Sequence, residues 1–562
     1  MYTPHVAPIS GIATHENFIA TAGYDNDVTL WDHRVGKPIA RGRHDHLANQ
    51  CAFSPDGSLL VSASSDHTAR IWEIPSMRLR AVLCGHQDDV VKALFSPDGD
   101  RIATCSYDAT LKVFGMNGQE LATCRGHSGL IESFDWNCDG GELISCGTDG
   151  SIRTWNADDG RQTHIRDGLE FDVDALAMID TQRFLVGCDN GEVWSLNGDS
   201  IQRHPAHNSG VKRLVLSDDR SLLLSLGYDQ QLILWEVSEH GLRTIRTTQY
   251  PDNVWARSAA FLNNDEAVFG TFGSKYAHWR QSTDQWTSDD FIPSRSLNAI
   301  CVDGPSVFAI GDAGILKQNG QSLAGPGTLC NCLASDGNSL WTAGQLGVIY
   351  NARTGASCYQ VGKPVNCVTR LGIAPGSRIA FGTYGGSVLV FDTSPNLKHL
   401  ATIQLDCNAI KGLTSLGGNI VCGSADGSLA IIDGNSLKVR KLTRGAHDGI
   451  LNGLTVYRDG FATISRDLTL RLWSAEAELQ QNIPSRHKFS IKCIASSCNG
   501  ILIATGSYGG TVDVFDCASG KWQGGLQRPT MSGISSLAWD AHQGNFLAAS
   551  YDGAVHRISI ES

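Results

Sequence analysis

The sequence lacks the patterns of membrane and secreted proteins. No stretch approaches the roughly eighteen consecutive apolar residues that a membrane-spanning helix needs. Met1–Ser10 has no charged segment followed by an apolar one, which is the pattern of a secretory signal. We therefore expect a soluble, cytoplasmic protein that does not bind membranes.

Positive charge is also scarce. The 562 residues include 57 acidic and 45 basic side chains, which gives a formal net charge of −12. This balance opposes a general affinity for nucleic-acid phosphates, although a local basic patch is compatible with it. We expect partners to be proteins and expect no general nucleic-acid binding.

Motifs of common enzyme classes are missing. The chain has no Gly-x-Ser-x-Gly elbow, no His-Glu-x-x-His and no Gly-x-x-x-x-Gly-Lys-Ser/Thr loop. Cys330-Asn331-Cys332 could hold a metal, but no second ligand pair lies nearby in the sequence. In His44-Asp45-His46, His44 belongs to a structural network described below, which leaves His46 as a loop residue. We expect no catalytic residue, no metal and no cofactor.

Linkers and disulfide frameworks are absent too. No Gly/Ser-rich or Pro-rich tract interrupts the chain, so its domains are expected to abut directly. Most of the 17 cysteines stand inside strand patterns where Val, Ala or Ser would serve, which indicates small buried residues in a reducing compartment. Examples are Cys51, Cys105, Cys146, Cys188, Cys422 and Cys493.

What the chain does contain is one repeated unit, clearest in Gly85–Gly115. Three strand-like runs follow an initial Gly-His pair and are separated by Pro-Asp-Gly and Tyr-Asp turns, which predicts antiparallel strands. Strand pairing would bring His86, Thr104 and Asp108 together. An imidazole can join a hydroxyl to a carboxylate because one nitrogen donates and the other accepts. Phe114 is expected to cover this network.

The same four positions recur along the chain as His, Ser/Thr, Asp and an aromatic residue. The complete sets are His5-Thr21-Asp25-Trp31, His44-Ser62-Asp66-Trp72, His86-Thr104-Asp108-Phe114, His127-Ser145-Asp149-Trp155, His207-Ser225-Asp229-Trp235 and His447-Thr463-Asp467-Trp473. Six complete sets in one chain are too many to have arisen by chance. We interpret these histidines as structural groups rather than reagents.

The Gly-His start and the Trp-Asp end of the unit resemble the WD40 repeat. Degenerate copies extend the series to fourteen, with the aromatic position at residues 31, 72, 114, 155, 194, 235, 279, 316, 350, 391, 432, 473, 515 and 557. One ring holds about four to eight blades, so fourteen repeats predict an all-β chain of two tandem seven-bladed WD40 β-propellers. The predicted domains are residues 1–289 and a more degenerate ring at residues 290–562.

Two parts of the predicted rings are irregular. Gln285–Ile292 is predicted to be the outer strand of the seventh blade. The resemblance implies that each blade takes its outermost strand from the start of the next repeat, yet only Met1–Pro4 precede the first histidine. Either these residues complete the fourteenth blade or that blade has three strands.

Large side chains recur just before the turn aspartate or its equivalent. These residues are Tyr24, Tyr107, Tyr228, Tyr384, Arg466, Tyr508 and Tyr551. This position resembles the positions that, in WD40 proteins, face the top of the ring and contact partners. Tyrosine suits a binding anchor because it offers a large amphipathic area at low entropic cost. Alternatively, each tyrosine shields the His-Asp pair of its own blade from water.

The resemblance and the irregular repeats lead to two candidate functions. The first is a non-catalytic scaffold that binds proteins within a multiprotein complex, which is an inference by analogy of fold. The alternative is an enzyme or small-molecule binder with a site in the channel of one ring, where Lys275, His278 or Asp312 of the irregular repeats could take part.

Overall fold

The protein is built from antiparallel β-strands and has no helix in the part of the chain that the structure describes. This structure is a computed structural model that describes residues 4–169, 171–198, 200–372, 378–394, 396–405 and 408–560. The chain divides into two compact units, Met1–Ser294 and Arg295–Ser562. The all-β prediction is confirmed.

The first unit contains seven four-stranded sheets over its described residues, which we number sheets 1–7 in chain order. Each consists of consecutive strands. The strands of sheets 1–4 are β1 Ile9–His15, β2 Phe18–Gly23, β3 Asp27–Asp32, β4 Lys37–Arg43; β5 Ala48–Phe53, β6 Leu59–Ser64, β7 Ala69–Glu73, β8 Arg78–Leu83; β9 Val90–Phe95, β10 Arg101–Ser106, β11 Thr110–Gly115, β12 Glu120–Arg125; and β13 Ile131–Trp136, β14 Glu142–Gly147, β15 Ile152–Asn156, β16 Gln162–Arg166. Those of sheets 5–7 are β17 Val173–Met178, β18 Arg183–Cys188, β19 Glu192–Asn197, β20 Ser200–Pro205; β21 Val211–Leu216, β22 Leu222–Gly227, β23 Gln231–Ser238, β24 Gly241–Gln249; and β25 Val254–Phe261, β26 Glu266–Thr271, β27 Ala277–Arg280, β28 Gln285–Thr287.

The described part of the second unit contains sheets 8–14, of which the last has three strands. The strands of sheets 8–11 are β29 Leu297–Asp303, β30 Ser306–Gly311, β31 Leu316–Gln318, β32 Gln321–Leu323; β33 Cys330–Ser335, β34 Leu340–Gly344, β35 Val348–Asn351, β36 Ser357–Gln360; β37 Val365–Leu371, β38 Arg378–Thr383, β39 Ser387–Asp392, β40 Lys398–Gln404; and β41 Ile410–Leu416, β42 Asn419–Ser424, β43 Leu429–Ile432, β44 Val439–Thr443. Those of sheets 12–14 are β45 Leu451–Tyr457, β46 Gly460–Ser465, β47 Thr469–Trp473, β48 Leu479–Pro484; β49 Ile491–Ser496, β50 Leu502–Ser507, β51 Val512–Asp516, β52 Lys521–Trp522; and β53 Ile534–Asp540, β54 Asn545–Ser550, β55 Val555–Ile558.

In each unit the first strands of successive sheets contact one another around a closed ring, which is the architecture of a β-propeller. The last sheet returns to the first: β25 contacts β1 in one unit, and β53 contacts β29 in the other. Apolar clusters fill the spaces between neighbouring sheets, and one of them joins Ile12, Ile19 and Trp31 of sheet 1 to Val268 and Tyr276 of sheet 7. Burial of such apolar surface is the main stabilising contribution to this fold.

Each of the fourteen predicted aromatic positions lies on the third strand of its sheet, from Trp31 on β3 to position 557 on β55. The predicted turns also form. In Ser54-Pro55-Asp56-Gly57, the Ser54 hydroxyl lies 2.6 Å from Asp56, and Gly57 has a φ of +69°, a left-handed conformation that favours glycine. The spacing in the sequence therefore assigned the strands correctly.

The first strand of every sheet carries a β-bulge near its start. In sheet 1, Ile9 pairs with Gly23 and Gly11 with Ala22, so that Ser10 has no partner across the strand. The same shift occurs at one residue of each inner strand in the other sheets except sheet 7, where residues 255–258 together stand opposite Gly270. A bulge breaks the ladder and redirects the side chain of the extra residue.

The junction between the units differs from the predicted boundary at residue 289. The outer strand of sheet 7 is limited to Gln285–Thr287, and the prediction that it continues to Ile292 is wrong. Beyond it the chain turns back onto the same sheet: Ser274 N–H donates to Ile292 O, and Ser294 N–H donates to Phe272 O, both at 2.9 Å. These bonds explain why the first compact unit extends to Ser294.

The closing blade follows the second of the two predicted alternatives within the described residues. Sheet 14 consists of β53, β54 and β55. The first three residues of the segment considered for its fourth strand, Met1–Thr3, lie outside the described residues.

Candidate functional site

The predicted network residues and the predicted tyrosines lie at the same end of each ring. Each first strand begins where its antiparallel partner, the second strand, ends, as in the pairing of Ile9 with Gly23. The bulge residues belong to the start of the first strands, and the Tyr-Asp turns follow the second strands. We call this end of a ring its mouth.

The six predicted histidine networks form in the structure. In each, Nδ1 of the histidine lies 2.8–3.0 Å from the aspartate carboxylate, and Nε2 lies 2.7–2.9 Å from the Ser/Thr hydroxyl. The groups are His5 with Asp25 and Thr21, His44 with Asp66 and Ser62, His86 with Asp108 and Thr104, His127 with Asp149 and Ser145, His207 with Asp229 and Ser225, and His447 with Asp467 and Thr463. The six imidazoles are buried.

The aromatic residue contributes more than the predicted cover. In five networks the indole N–H donates to the same Ser/Thr hydroxyl at 2.7–3.0 Å. The donors are Trp31, Trp72, Trp155, Trp235 and Trp473. Because an indole can only donate, the hydroxyl accepts this bond and can donate its own hydrogen to Nε2 of the histidine. This order directs the Nδ1 hydrogen to the carboxylate.

The aspartate also fixes the loop at the mouth. In sheet 3 the Asp108 carboxylate accepts the backbone N–H of Gln87 at 3.0 Å and the hydroxyl of Thr110 at 2.6 Å. Burial opposes ionisation of Asp108. The hydrogen bond and electrostatic attraction of His86, together with the hydrogen bond of Thr110, nevertheless hold the pKa of Asp108 well below the usual range. The carboxylate is therefore a stable anion that organises its surroundings.

A seventh network, at His487, has no counterpart in the sequence prediction. Nε2 of His487 lies 2.9 Å from the Thr505 hydroxyl, as in the other six, but Nδ1 lies 2.7 Å from Thr511. Gly509 holds the aspartate position, and a Cβ added there would lie 2.5 Å from Cδ2 of Phe489. Burial lowers the pKa of His487 to about 4. The interval from His487 to Thr505, equal to that from His86 to Thr104, was the available signal.

At the first mouth, the three predicted tyrosines meet the wide bulge of sheet 7. Arg257 donates its Nε hydrogen to Tyr228 Oη at 2.8 Å, and Trp255 packs edge-on against Tyr24 with ring centroids 5.1 Å apart. Tyr228 most strongly, and also Tyr107 and Tyr24, raise the pKa of Arg257. Residues from different sheets thus share one cluster, in which Tyr228 is buried and the others stay partly exposed.

Carboxylates surround a second cation of this mouth. Lys212, the bulge residue of sheet 6, forms ion pairs with Asp174 and with Asp189, the latter at 2.7 Å, and its ammonium lies 5.4 Å from the Tyr228 ring centre. Burial and the neighbouring Asp174 and Asp189 raise the pKa of Asp172 to about 7. Farther round the ring, ligand atoms of His67, Asp88 and Asp89 lie within 4.8 Å of one another. The first mouth is aromatic and acidic.

The second mouth gathers the other three tyrosines around lysines. The Lys411 ammonium lies 4.4 Å from the Tyr384 ring centre, and that of Lys492 lies 5.7 Å from the Tyr508 ring centre. Tyr508 also stacks with Tyr551 at a centroid distance of 6.4 Å. Arg466 occupies the equivalent position of sheet 12 and is partly exposed. The contacts of Tyr384 and Tyr551 join neighbouring sheets, a role that neither sequence interpretation includes.

Bulge residues also tie neighbouring sheets together. In five sheets the bulge residue is an asparagine whose side-chain N–H donates to the carbonyl of the first residue in the next inner strand, at 2.7–3.0 Å. The donors are Asn49, Asn298, Asn331, Asn366 and Asn452. Ser10 makes the corresponding bond to Ala48 through its hydroxyl. The sequence alone did not reveal this function because it depends on the strand register.

The two cysteines considered for metal binding are buried. Cys330 and Cys332 donate to the carbonyls of Thr328 and Ala343. Burial raises the pKa of Cys330 to about 12 and holds that of Cys332 well above its usual value. Neutral thiols of this kind are poor metal ligands. His46, interpreted as a loop residue from the sequence, has only 3% of its surface exposed.

The residues considered for a channel site are separated. Lys275 and His278 line a cavity of about 290 Å³ that also includes His33, Glu266 and Arg280. His33 follows the third strand of sheet 1 and His278 lies on that of sheet 7, which places the cavity between these sheets rather than in the channel. Asp312 belongs to the other unit and accepts a hydrogen bond from Asn298 at 2.8 Å.

The described part of the chain contains no helix with the length and hydrophobicity that a bilayer crossing requires.

Five segments match the sequence model of the family described as WD domain, G-beta repeat. They are residues 36–73, 77–115, 118–156, 198–236 and 479–516. Each match begins at or just before the outer strand of one sheet and ends in the third strand of the next, as 36–73 spans β4 to β7.

Several curated proteins are similar to parts of this chain. The WD repeat-containing protein 26 homolog of Arabidopsis thaliana is 28% identical over 228 residues, which are 38% of this chain and 38% of that protein. The Target of rapamycin complex subunit wat1 of Schizosaccharomyces pombe is 26% identical over 240 residues, 40% of this chain and 76% of that subunit. Telomerase protein component 1 of Rattus norvegicus is 25% identical over 357 residues, 59% of this chain and 13% of that protein.

Proposed function

Because the chain contains WD40 repeats, we propose that it is a non-catalytic scaffold that binds protein partners within a multiprotein complex through the mouths of its two rings. The observation that carries this proposal is the gathering of aromatic and charged side chains at both mouths, with Tyr24 and Trp255 at one and Tyr384 and Tyr551 at the other. Two similar proteins are named as a complex subunit and a protein component.

The aromatic groups are suited to protein recognition. Partly exposed tyrosines supply contact area with little loss of side-chain entropy, and such residues are enriched among those that dominate binding energy. Their neighbours at the first mouth hold them in place, since Trp255 packs on both Tyr24 and Phe272. A pre-ordered surface loses less entropy when a partner binds.

The absence of catalysis in this proposal is supported by how the histidines are used. The seven network imidazoles have both nitrogens engaged with neighbouring side chains, so they are not available to accept a proton from a substrate. We also propose a cytoplasmic location and no general binding to nucleic acid. The cysteines of the described residues are free thiols, which suits a reducing compartment.

Affinity purification of the tagged full chain, followed by mass spectrometry, tests the scaffold function. A mouth variant with Tyr24→Ala, Tyr107→Ala, Tyr384→Ala and Tyr551→Ala is expected to lose specific partners. The control changes two exposed leucines of outer strands, Leu79→Ala and Leu121→Ala, and is expected to retain them. Circular dichroism establishes that both variants are folded. Identical partner sets from the mouth variant and the wild type, or no partner above the tag background, would contradict the proposal.

A second candidate function, binding of a small molecule, is supported by the cavity between sheets 1 and 7. Nδ1 of His33 has no hydrogen-bond partner among the described residues, and Lys275 adds positive charge. Nε2 of His278 lies 3.8 Å from Glu266 Oε2, and Arg280 is paired with the same carboxylate. His33 and Lys275 could therefore hold a small carboxylate. Isothermal titration with citrate would detect it, with binding lost in His33→Ala/His278→Ala. Equal heats from the wild type and this variant would exclude the site.

A further inference from the structure

The second ring places two cations at bulge positions that are otherwise uncharged. Its seven bulge residues lie at the same point of each inner strand, where the strand register shifts. They are Asn298, Asn331, Asn366, Lys411, Asn452, Lys492 and Ser535. The four asparagines bind the backbone of the next sheet, whereas the lysine ammonium groups reach aromatic rings.

These lysines belong to one cluster. Lys411 lies over Tyr384 at 4.4 Å, and Lys492 lies over Tyr508, which stacks with Tyr551. Tyr508 first, and Tyr384 as well, raise the pKa of Lys492, so both ends of the cluster act on the same ammonium. We call these five residues the Lys–Tyr cluster. Its members are half-buried, so a ligand can reach them from the mouth.

The charge of this cluster is not neutralised by its described surroundings. Within the described ranges, neither Lys411 nor Lys492 has a carboxylate within 4.0 Å, as an ion pair would require. The corresponding bulge lysine of the first ring, Lys212, is paired with Asp174 and Asp189. An aromatic face attracts an ammonium but carries no net charge, so the Lys–Tyr cluster retains its positive field. The bulge lysine is thus paired with carboxylates in the first ring, and the two bulge lysines of the second ring have no such partner among the described residues.

We propose that the Lys–Tyr cluster binds carboxylate side chains of an acidic segment in a protein partner. The proposal rests on the scaffold function and names the chemistry that one mouth recognises. Ammonium groups pair with carboxylates, and the tyrosine hydroxyls and rings can contact the segment that carries them. The five residues of the cluster include no arginine, whose planar fork gives bidentate contacts with a phosphate, although Arg466 lies at the same mouth. Recognition of phosphate instead of carboxylate is therefore one outcome of the test below.

Fluorescence anisotropy with the full chain tests this inference. The probe is a fluorescein-labelled Gly/Ser peptide that contains a run of glutamates, and the comparison peptide has glutamine at every glutamate position. The glutamate probe is expected to bind, more weakly at higher salt, and the glutamine peptide is not. The double variant Lys411→Gln/Lys492→Gln is expected to weaken binding about tenfold, equivalent to one well-placed charge pair.

Two further variants separate site chemistry from net charge and folding. Lys398→Gln/Lys438→Gln removes the same charge from exposed positions of the same unit and is expected to leave binding unchanged. Lys411→Arg/Lys492→Arg keeps the charge and is expected to retain the glutamate probe. Equal binding of the glutamate and glutamine peptides, or equal losses in the two lysine-to-glutamine pairs, would overturn the inference. So would a phosphoserine peptide that binds the cluster while the glutamate probe does not.

The purification experiment distinguishes failure of this inference from failure of the scaffold function. If partners are recovered equally by the wild type and by Lys411→Gln/Lys492→Gln, the scaffold function stands and the acidic-segment inference falls. If no partner is recovered but the glutamate probe binds through the two lysines, the carboxylate site stands and the scaffold function falls.

Discussion

Nδ1 of His487 lies 2.7 Å from the Thr511 hydroxyl, whereas the same nitrogen of His86 lies 2.8 Å from the carboxylate of Asp108. The two networks share their geometry at Nε2 and differ in charge at Nδ1. In sheet 13 no carboxylate stabilises a protonated imidazole at this contact, and burial lowers the pKa of His487 from 6.5 to about 4. The two sheets should therefore respond differently to acid.

His487 is expected to make the protein acid-sensitive. Since its folded pKa lies below its unfolded pKa, the unfolded chain binds the proton first, and the free energy of unfolding falls as pH decreases from 6.5 towards 4. The full loss is about 3 kcal/mol. Melting temperatures at several pH values should depend less on pH in His487→Gln than in the wild type. The exposed control His542→Gln should follow the wild type, and equal slopes in all three would refute the assignment.

Asp108→Ala should destabilise the first unit. The change leaves the buried imidazole of His86 without its acceptor and also removes the acceptor of the exposed Gln87 N–H, at a cost of roughly 1–3 kcal/mol in the free energy of unfolding. Urea titrations of the wild type and the variant measure the difference. Asp100→Ala changes an exposed carboxylate of the same sheet and serves as the control. A cost near zero for Asp108→Ala would show that the network contributes little to stability.

The bond between Arg257 and Tyr228 should appear as an energetic coupling. Tyr228→Phe removes the acceptor, Arg257→Met removes the donor, and the double variant removes both, so their stabilities form a thermodynamic cycle. We expect a coupling of about 1 kcal/mol, because the arginine is partly exposed to solvent. Urea unfolding of the four proteins gives the value. Strict additivity of the two single changes would mean that the wide bulge is held by packing alone.

Asn366→Ala should weaken the association of sheets 10 and 11. The amide of Asn366 donates to Ile410 O at 2.9 Å, and its loss leaves that carbonyl without this donor, at a cost of about 1 kcal/mol. Hydrogen exchange of the strands in these two sheets should accelerate relative to distant strands. Asn338→Ala, in an exposed turn of sheet 9, is the control and should leave exchange rates unchanged. Unchanged protection in Asn366→Ala would contradict an inter-sheet role.

The sequence predicted the strand pattern because its turns and spacings are local signals. The interval between His86 and Thr104, and the Asp108 turn, report a pairing that each repeat forms within itself. His487 escaped because Phe489 fills the space next to Gly509, so the repeat lacks its aspartate. A single missing residue in the motif was enough to hide an intact contact.

Contacts between sheets were not predictable in the same way. The bond from Arg257 to Tyr228 joins different repeats, and it depends on how residues 255–258 leave the strand ladder. Lys212 and Lys411 look alike in sequence, and only the surrounding side chains show that the first is paired with carboxylates. Such functions depend on the strand register and on the neighbouring side chains, and the sequence of a single repeat specifies neither.

The five matched repeats each link the outer strand of one sheet to the next sheet, so the chain itself fastens these neighbours together. Sheets 7 and 1 have no such covalent link. Their junction relies on contacts such as the Thr14 hydroxyl with Phe261 O at 2.5 Å and the Trp31 and Tyr276 rings at 5.5 Å. Under mechanical tension across the first ring, we expect sheets 7 and 1 to separate first. A disulfide engineered between them would supply the covalent link that this junction lacks.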